Sequence, residues 1–203
     1  MGRTHILPIR QPDDTTCGPA ALKLALAVIG IRKSLASLIE LSKTNRNGTS
    51  TKHMVEAVNK LGLPALVVEY ATLHHLQGAL KYPPNEPRAV LVSYLYDLDK
   101  KDRPHPESGH WAVVSSYSAR NSRIVLLDSA SGKKKSYPWK EFRNRWMDYD
   151  LKRRKIQRGR KEFKLIRHWQ EQLLMIIAKD EEYLPEFKIS TAKLFLASAN
   201  PYV

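Results

Sequence analysis

Two kinds of hydrophobic pattern meet near Pro64, and their order restricts the chain to few architectures. Before it, apolar residues recur at helical spacing; after it, they gather in short runs rich in β-branched and aromatic residues. From Cys17 to Ile29, the side chains of Leu22, Ala25, Leu26 and Ile29 share one face, and Gly30 supplies a stop. Pro19 lacks the amide that a helix interior must bond, so this helix begins close to Cys17. A second, short helix is expected from a Ser34 cap through Leu35, Leu38 and Ile39. A third is expected over 51–61, with Met54, Val58 and Leu61 on one face and Gly62 behind it.

Downstream, "ALVVEY", "RAVLVSYL", "HWAVVSSY" and "RIVLLD" read as strands. Residues 72–80 read as a small helix between the first two, and "PWKEFRNRW" as another. The run "QLLMIIAK" suits a central strand, although Ile166, Trp169, Leu173 and Ile177 also continue a helical spacing. Helices first and antiparallel strands afterwards make the fold class α+β. With 203 residues and 42% hydrophobic content, one core is expected over 1–180, followed by a C-terminal tail over 181–203.

Charge is unevenly placed. The formal net charge is +14, and residues 152–167, "KRRKIQRGRKEFKLIR", hold nine basic residues against the single acidic Glu162. This stretch reads as a basic insertion, either solvated and partly disordered or in contact with nucleic acid, ribosome or an acidic protein. The apolar stretch "AALKLALAVIGI" carries Lys23 and falls short of the roughly 20 residues of a membrane helix. No secretory signal is evident, so a cytoplasmic location and no membrane contact are expected.

A lone cysteine excludes an intramolecular disulfide and a cysteine-based zinc cluster, and the histidines form no convincing metal-ligand set. It can still serve as a nucleophile. A thiol attacks as its thiolate, which the unpaired amides of a helix N-terminus and a neighbouring imidazolium both favour. In "TTCGPAAL" the first condition is met by position, and Gly18 could let a substrate approach the backbone closely. Of the seven histidines, His110 opens the strand "HWAVV", where its ring could face a cleft. Asp128 closes the next strand after four apolar residues, as a group that orients an imidazole should. Each alone also fits a bland role: buried filler, satisfied strand-end residue, or start of the "DSASG" turn.

Together these residues resemble the bacteriocin-processing cysteine peptidases of the papain-like group. The resemblance rests on Gln11 six residues before Cys17 in "QPDDTTCGPAAL", on "NRNGTSTKHMVEAVNKLGL", and on "GHWAVV" followed by "RIVLLDSASGKKKSYPWKEFRNRW". It covers residues 7–147 and implies a papain-like fold. It further implies Cys17 as nucleophile, His110 as general base and acid, Asp128 as orienter and Gln11 as oxyanion-hole donor. Many such relatives carry proline where this chain has Ser129. The implied activity is cleavage of a peptide or isopeptide bond through a thioester, with no cofactor. The implied partner is a peptide or protein substrate, an acidic one where residues 152–167 steer it. The alternative is a papain-like binding module, with Trp139, Trp146 and Trp169 either stacking on bases or packing in the core.

Overall fold

The computed structural model describes residues 6–83, 85–156 and 163–197. Its elements in chain order are α1 (Cys17–Val28), α2 (Leu35–Leu41), α3 (Thr51–Lys60), β1 (Ala65–Val68), α4 (Leu73–Leu80), β2 (Arg88–Leu95), β3 (Gly109–Ser118) and β4 (Arg123–Asp128). They continue with β5 (Lys133–Pro138), α5 (Trp139–Arg145), β6 (Met147–Lys155), β7 (Phe163–Glu171), β8 (Leu174–Ala178) and β9 (Ala192–Phe195). The helices form where the apolar spacing requires, and local signals end them. The Ser34 hydroxyl accepts the Ser37 N–H at 3.1 Å at the start of α2, and Gly30 and Gly62 take positive φ after α1 and α3.

Seven strands form one antiparallel sheet in the order β5-β4-β3-β2-β8-β1-β9. "LLMIIA" is thus a central strand, buried along its whole length between β2 and β1. The helical alternative fails because both edges of this segment pair with neighbours. β5 carries the polar "KKKSYP" and is held by pairing with β4, so its sequence shows little strand character. Beyond residue 180 the chain adds β9 against β1 at the sheet edge.

The two faces of the sheet carry separate cores. One packs α1 and α3 through Leu22, Leu26, Met54 and Val58 onto Leu91, Val113 and Met175. The other gathers Tyr94, Tyr137, Phe142 and Trp146 with Leu76 and Ile176. Trp146 is fully buried and donates its indole N–H to the Leu173 carbonyl at 2.8 Å, and Trp139 packs against it at 5.9 Å. For these two tryptophans the core role is the correct one.

Within the basic stretch, residues 152–155 belong to β6 and 163–167 to β7, a separate two-stranded ribbon in regular register from Met147 opposite Glu171 to Lys155 opposite Phe163. Residues 157–162 of that stretch lie outside the described residues.

Candidate active site

α1 begins at Cys17, as the position of Pro19 requires, with Thr16 as its N-cap. The N–H groups of this first turn have no intrahelical acceptor and point toward the thiol end of the helix. α1 packs on β3, which starts at Gly109 and so presents His110 at the same end of the sheet. Neighbouring contacts hold this junction. Trp111 donates its indole N–H to the Thr49 carbonyl at 3.1 Å, and Thr49 in turn lies against Gly18. A Cβ on Gly18 would fall 2.7 Å from the Thr49 Cβ. Gly18 is therefore required by packing of α1 against the α2–α3 connection, which corrects the expectation that it clears a path for substrate.

His110 and Asp128 meet across β3 and β4, with His110 Nε2–H donating to Asp128 Oδ1 at 2.8 Å. That bond leaves Nδ1 of the ring for another partner, and Cys17 is among the groups that favour the imidazolium. Behind the ring, Tyr94 and Tyr96 pack edge-on at 5.7 and 5.0 Å. Burial works against the imidazolium, but hydrogen bonds to Asp128 and Cys17 and their charges outweigh it, raising the His110 pKa to about 9. His110 is thus protonated at neutral pH. The Asp128 carboxylate is fully buried yet well provided: Ser131 donates its hydroxyl at 2.5 Å and its N–H at 3.1 Å, and Tyr96 its hydroxyl at 3.3 Å. Desolvation opposes its charge, but His110 and Ser131 hold its pKa well below the usual carboxylate range.

Gln11 occupies a neighbouring recess. Its Nε2 donates to the Asp13 carbonyl at 2.8 Å, its Oε1 accepts the Ser129 hydroxyl at 2.8 Å, and its N–H donates to the Ser129 carbonyl at 2.9 Å. Because a carbonyl can only accept, the Asp13 bond fixes which way the amide points. Ser129, directly after Asp128, therefore ties Gln11 to the end of β4, through a hydroxyl that proline lacks. The recess around Gln11 and the cleft beside Cys17 share Asp14 as a wall.

That cleft, about 450 Å³, holds groups that the motif reading passed over. Asp14, Glu107, Asp148 and Asp150 line it, against Arg46 and His53. Asp148 accepts the Ser93 hydroxyl at 2.5 Å and the Tyr149 N–H at 2.7 Å, and lies so close to Gly109 that a Cβ there would collide with it. Burial pushes its pKa up to about 6 despite those bonds. Asp150 takes the Thr51 N–H at 3.2 Å, and burial raises it as well. The alternation in "MDYD" places both acids on one face of a strand; the adjoining basic run obscured that signal.

Known proteins resemble this chain in sequence and in fold. The Peptidase C39 family profile matches residues 6–156. The Leuconostoc mesenteroides mesentericin Y105 transport/processing ATP-binding protein MesD is 31% identical over 129 residues, covering 59% of this chain and 14% of that protein. An uncharacterized protein of Methanothermobacter marburgensis is 27% identical over 125 residues, covering 62% of this chain and 72% of its own length. This chain thus spans about one-seventh of the length of the first relative. Among solved structures, the peptidase domain of Streptococcus ComA, a bifunctional ABC transporter involved in quorum sensing, superposes with a TM-score of 0.60. It shares 23% identity and covers 87% of this chain and 100% of that one. A double-glycine-motif protease from an AMS/PCAT transporter, solved with leader peptide, gives 0.58 at 14% identity, covering 88% and 95%. At such identities the structural likeness is one of fold, the papain-like α+β arrangement expected from the sequence. With three-quarters of its length matched by the profile, the chain belongs to the Peptidase C39 family.

Proposed function

We propose that this protein is a cysteine peptidase in which Cys17 is the nucleophile, His110 the general base and acid, Asp128 the orienting carboxylate and Gln11 an oxyanion-hole donor. The observation that carries the reading is an imidazole paired with a buried carboxylate at 2.8 Å, at the end of β3, the strand on which α1, starting at Cys17, packs. An imidazolium beside the thiol favours the thiolate, and the helix N-terminus adds to it.

The thiolate sulfur attacks the peptide carbonyl carbon, and the carbonyl electrons pass to oxygen. Gln11, through the second N–H of its amide, and the Cys17 backbone N–H are the proposed donors to that oxyanion. Collapse breaks the C–N bond while His110 gives its proton to the leaving amine nitrogen. The acyl group is left on sulfur as a thioester. His110, now neutral, takes a proton from water as its oxygen attacks the thioester carbon. Breakage of the C–S bond restores the thiolate and imidazolium and frees the carboxylic acid.

The substrate is proposed to be a peptide, as in the leader-peptide complex of the double-glycine protease. The acidic cleft wall suits neutral or cationic side chains next to the scissile bond better than the acidic ones that the basic stretch first suggested. A binding module needs no aligned thiol, imidazole and carboxylate, so nothing in the site favours that alternative.

Alkylation by iodoacetamide, followed by intact mass, tests the reading. Cys17 in the wild type should label rapidly near pH 6, and His110→Ala should slow it at least tenfold. Equal rates in both proteins would remove the activated thiolate. A peptide aldehyde ending in Gly-Gly should add one equivalent to the wild type and none to Cys17→Ala.

A further inference from the structure

The ribbon of β6 and β7 contains a surface that the proposed chemistry leaves unused. Its register is unbroken, so side chains alternate between two faces. Asp148, Asp150 and Gln170 lie on the face turned toward the body, where they meet Ser93 and Thr51. Phe163, Leu165 and Trp169 share the opposite face and are 50%, 62% and 40% exposed, while Leu151 on the same face also lines the cleft beside Cys17. Arginines interleave with them: Arg167 stands opposite Leu151, and Arg153 opposite Leu165. On the other face, Lys152, Arg154 and Lys164 are exposed where the ribbon extends past its contacts with the body.

We propose that this ribbon docks onto an anionic membrane surface. Phe163, Leu165 and Trp169 enter the headgroup boundary, and the surrounding lysines and arginines meet lipid phosphates and carboxylates. Charge complementarity selects an anionic partner, because the ribbon's described part alone exposes Lys152, Arg153, Arg154 and Lys164, whereas Arg167 is engaged by Glu107. The same charge repels a second copy of the chain. Side-chain type favours lipid over nucleic acid, since leucines offer no face for a base to stack on, whereas both leucines and rings gain by leaving water for acyl chains. The Trp169 ring is already engaged at its edge by Tyr149, 5.2 Å away, which supports it as part of one apolar patch. Such a contact needs no span, and among the described residues no helix is long and apolar enough to cross a membrane.

The test is co-sedimentation of the full chain with vesicles of phosphatidylcholine alone or with about one-third phosphatidylserine. The partition coefficient should be about tenfold or more higher on the anionic vesicles and should fall as salt is raised. Phe163→Ser with Leu165→Ser, which leaves charge unchanged, should lower it by about tenfold, and Arg153→Gln with Arg154→Gln should lower it on anionic vesicles only. Trp169 emission should shift to the blue on binding, and Trp169→Phe should lose that shift. Unchanged circular dichroism and Cys17 alkylation rates identify variants that remain folded. Equal partition onto neutral and anionic vesicles would overturn the proposal, as would indifference to the Phe163 and Leu165 changes in folded protein. Tighter binding to single-stranded RNA or to an acidic peptide than to the anionic vesicles would also overturn it, and would name that partner instead.

Discussion

At the scale of single residues, the site depends on groups whose other bonds are already made. Asp128 is held by Ser131 and Tyr96, so it can receive the His110 N–H without moving. Gln11 is held in the same way by Asp13 and Ser129. If Gln11 donates to the oxyanion, Gln11→Ala should fold normally and label normally at Cys17. Its kcat should nevertheless fall by roughly 10²–10³, about 2.7–4 kcal/mol in the barrier. Steady-state turnover of a cleaved peptide would show this, and full turnover in the variant would end the assignment.

At the scale of elements, α1 carries two demands, since its first turn must hold the thiol and also seat against the α2–α3 connection. Gly18 reconciles them by omitting a side chain where Thr49 and Met54 press in at 2.7 and 3.3 Å of any added Cβ. Helix propensity alone would make Gly18→Ala stabilising by about 1 kcal/mol. Overpacking costs about 1–3 kcal/mol, and the buried Thr49 and Met54 have little room to yield. Gly18→Ala should therefore lower the unfolding free energy by up to about 2 kcal/mol in urea. A gain in stability would show that the connection can give way.

At the scale of the whole molecule, a chain of net charge +14 keeps its cleft acidic and its charged pair inside, and stability should vary with pH accordingly. The His110 pKa is raised to about 9, so its contribution is full below about 6.5 and is lost as pH rises through 9. Asp128, held low, contributes above the ordinary carboxylate range and loses this as the solution is acidified. Asp148 acts in the opposite sense to Asp128. Burial raises it to about 6, so the native state binds its proton more tightly than the unfolded chain, and stability falls as pH rises from about 4 to 6. Asp148→Asn can accept the Tyr149 N–H through Oδ1 and donate from Nδ2 to the Ser93 hydroxyl, which then turns to accept, while removing the charge. It should be about 1–2 kcal/mol more stable than the wild type at pH 7, with the ~1.4 kcal/mol per pKa unit reduced for partial exposure. Denaturation at pH 4 and pH 7 should show the difference vanishing at the acid end, and a variant equally or less stable at pH 7 would refute it.

The sequence by itself determined what is local. Pro19 fixed the start of α1 at Cys17, period-2 and period-3.6 patterns separated strands from helices, and the Cys17, His110 and Asp128 motifs marked the ends of elements. Tertiary structure decided what depends on a neighbour distant in the chain. β5 exists because β4 pairs with it, and the basic run forms strands because β6 and β7 satisfy each other's backbone groups. Gly18 is read correctly only beside Thr49, and Asp148 becomes a cleft acid only when β6 is laid against Ser93 and Gly109. Spacing along a chain reports which face a side chain takes, but burial, hydrogen-bond partners and hence charge state are set by whatever the fold brings to that face.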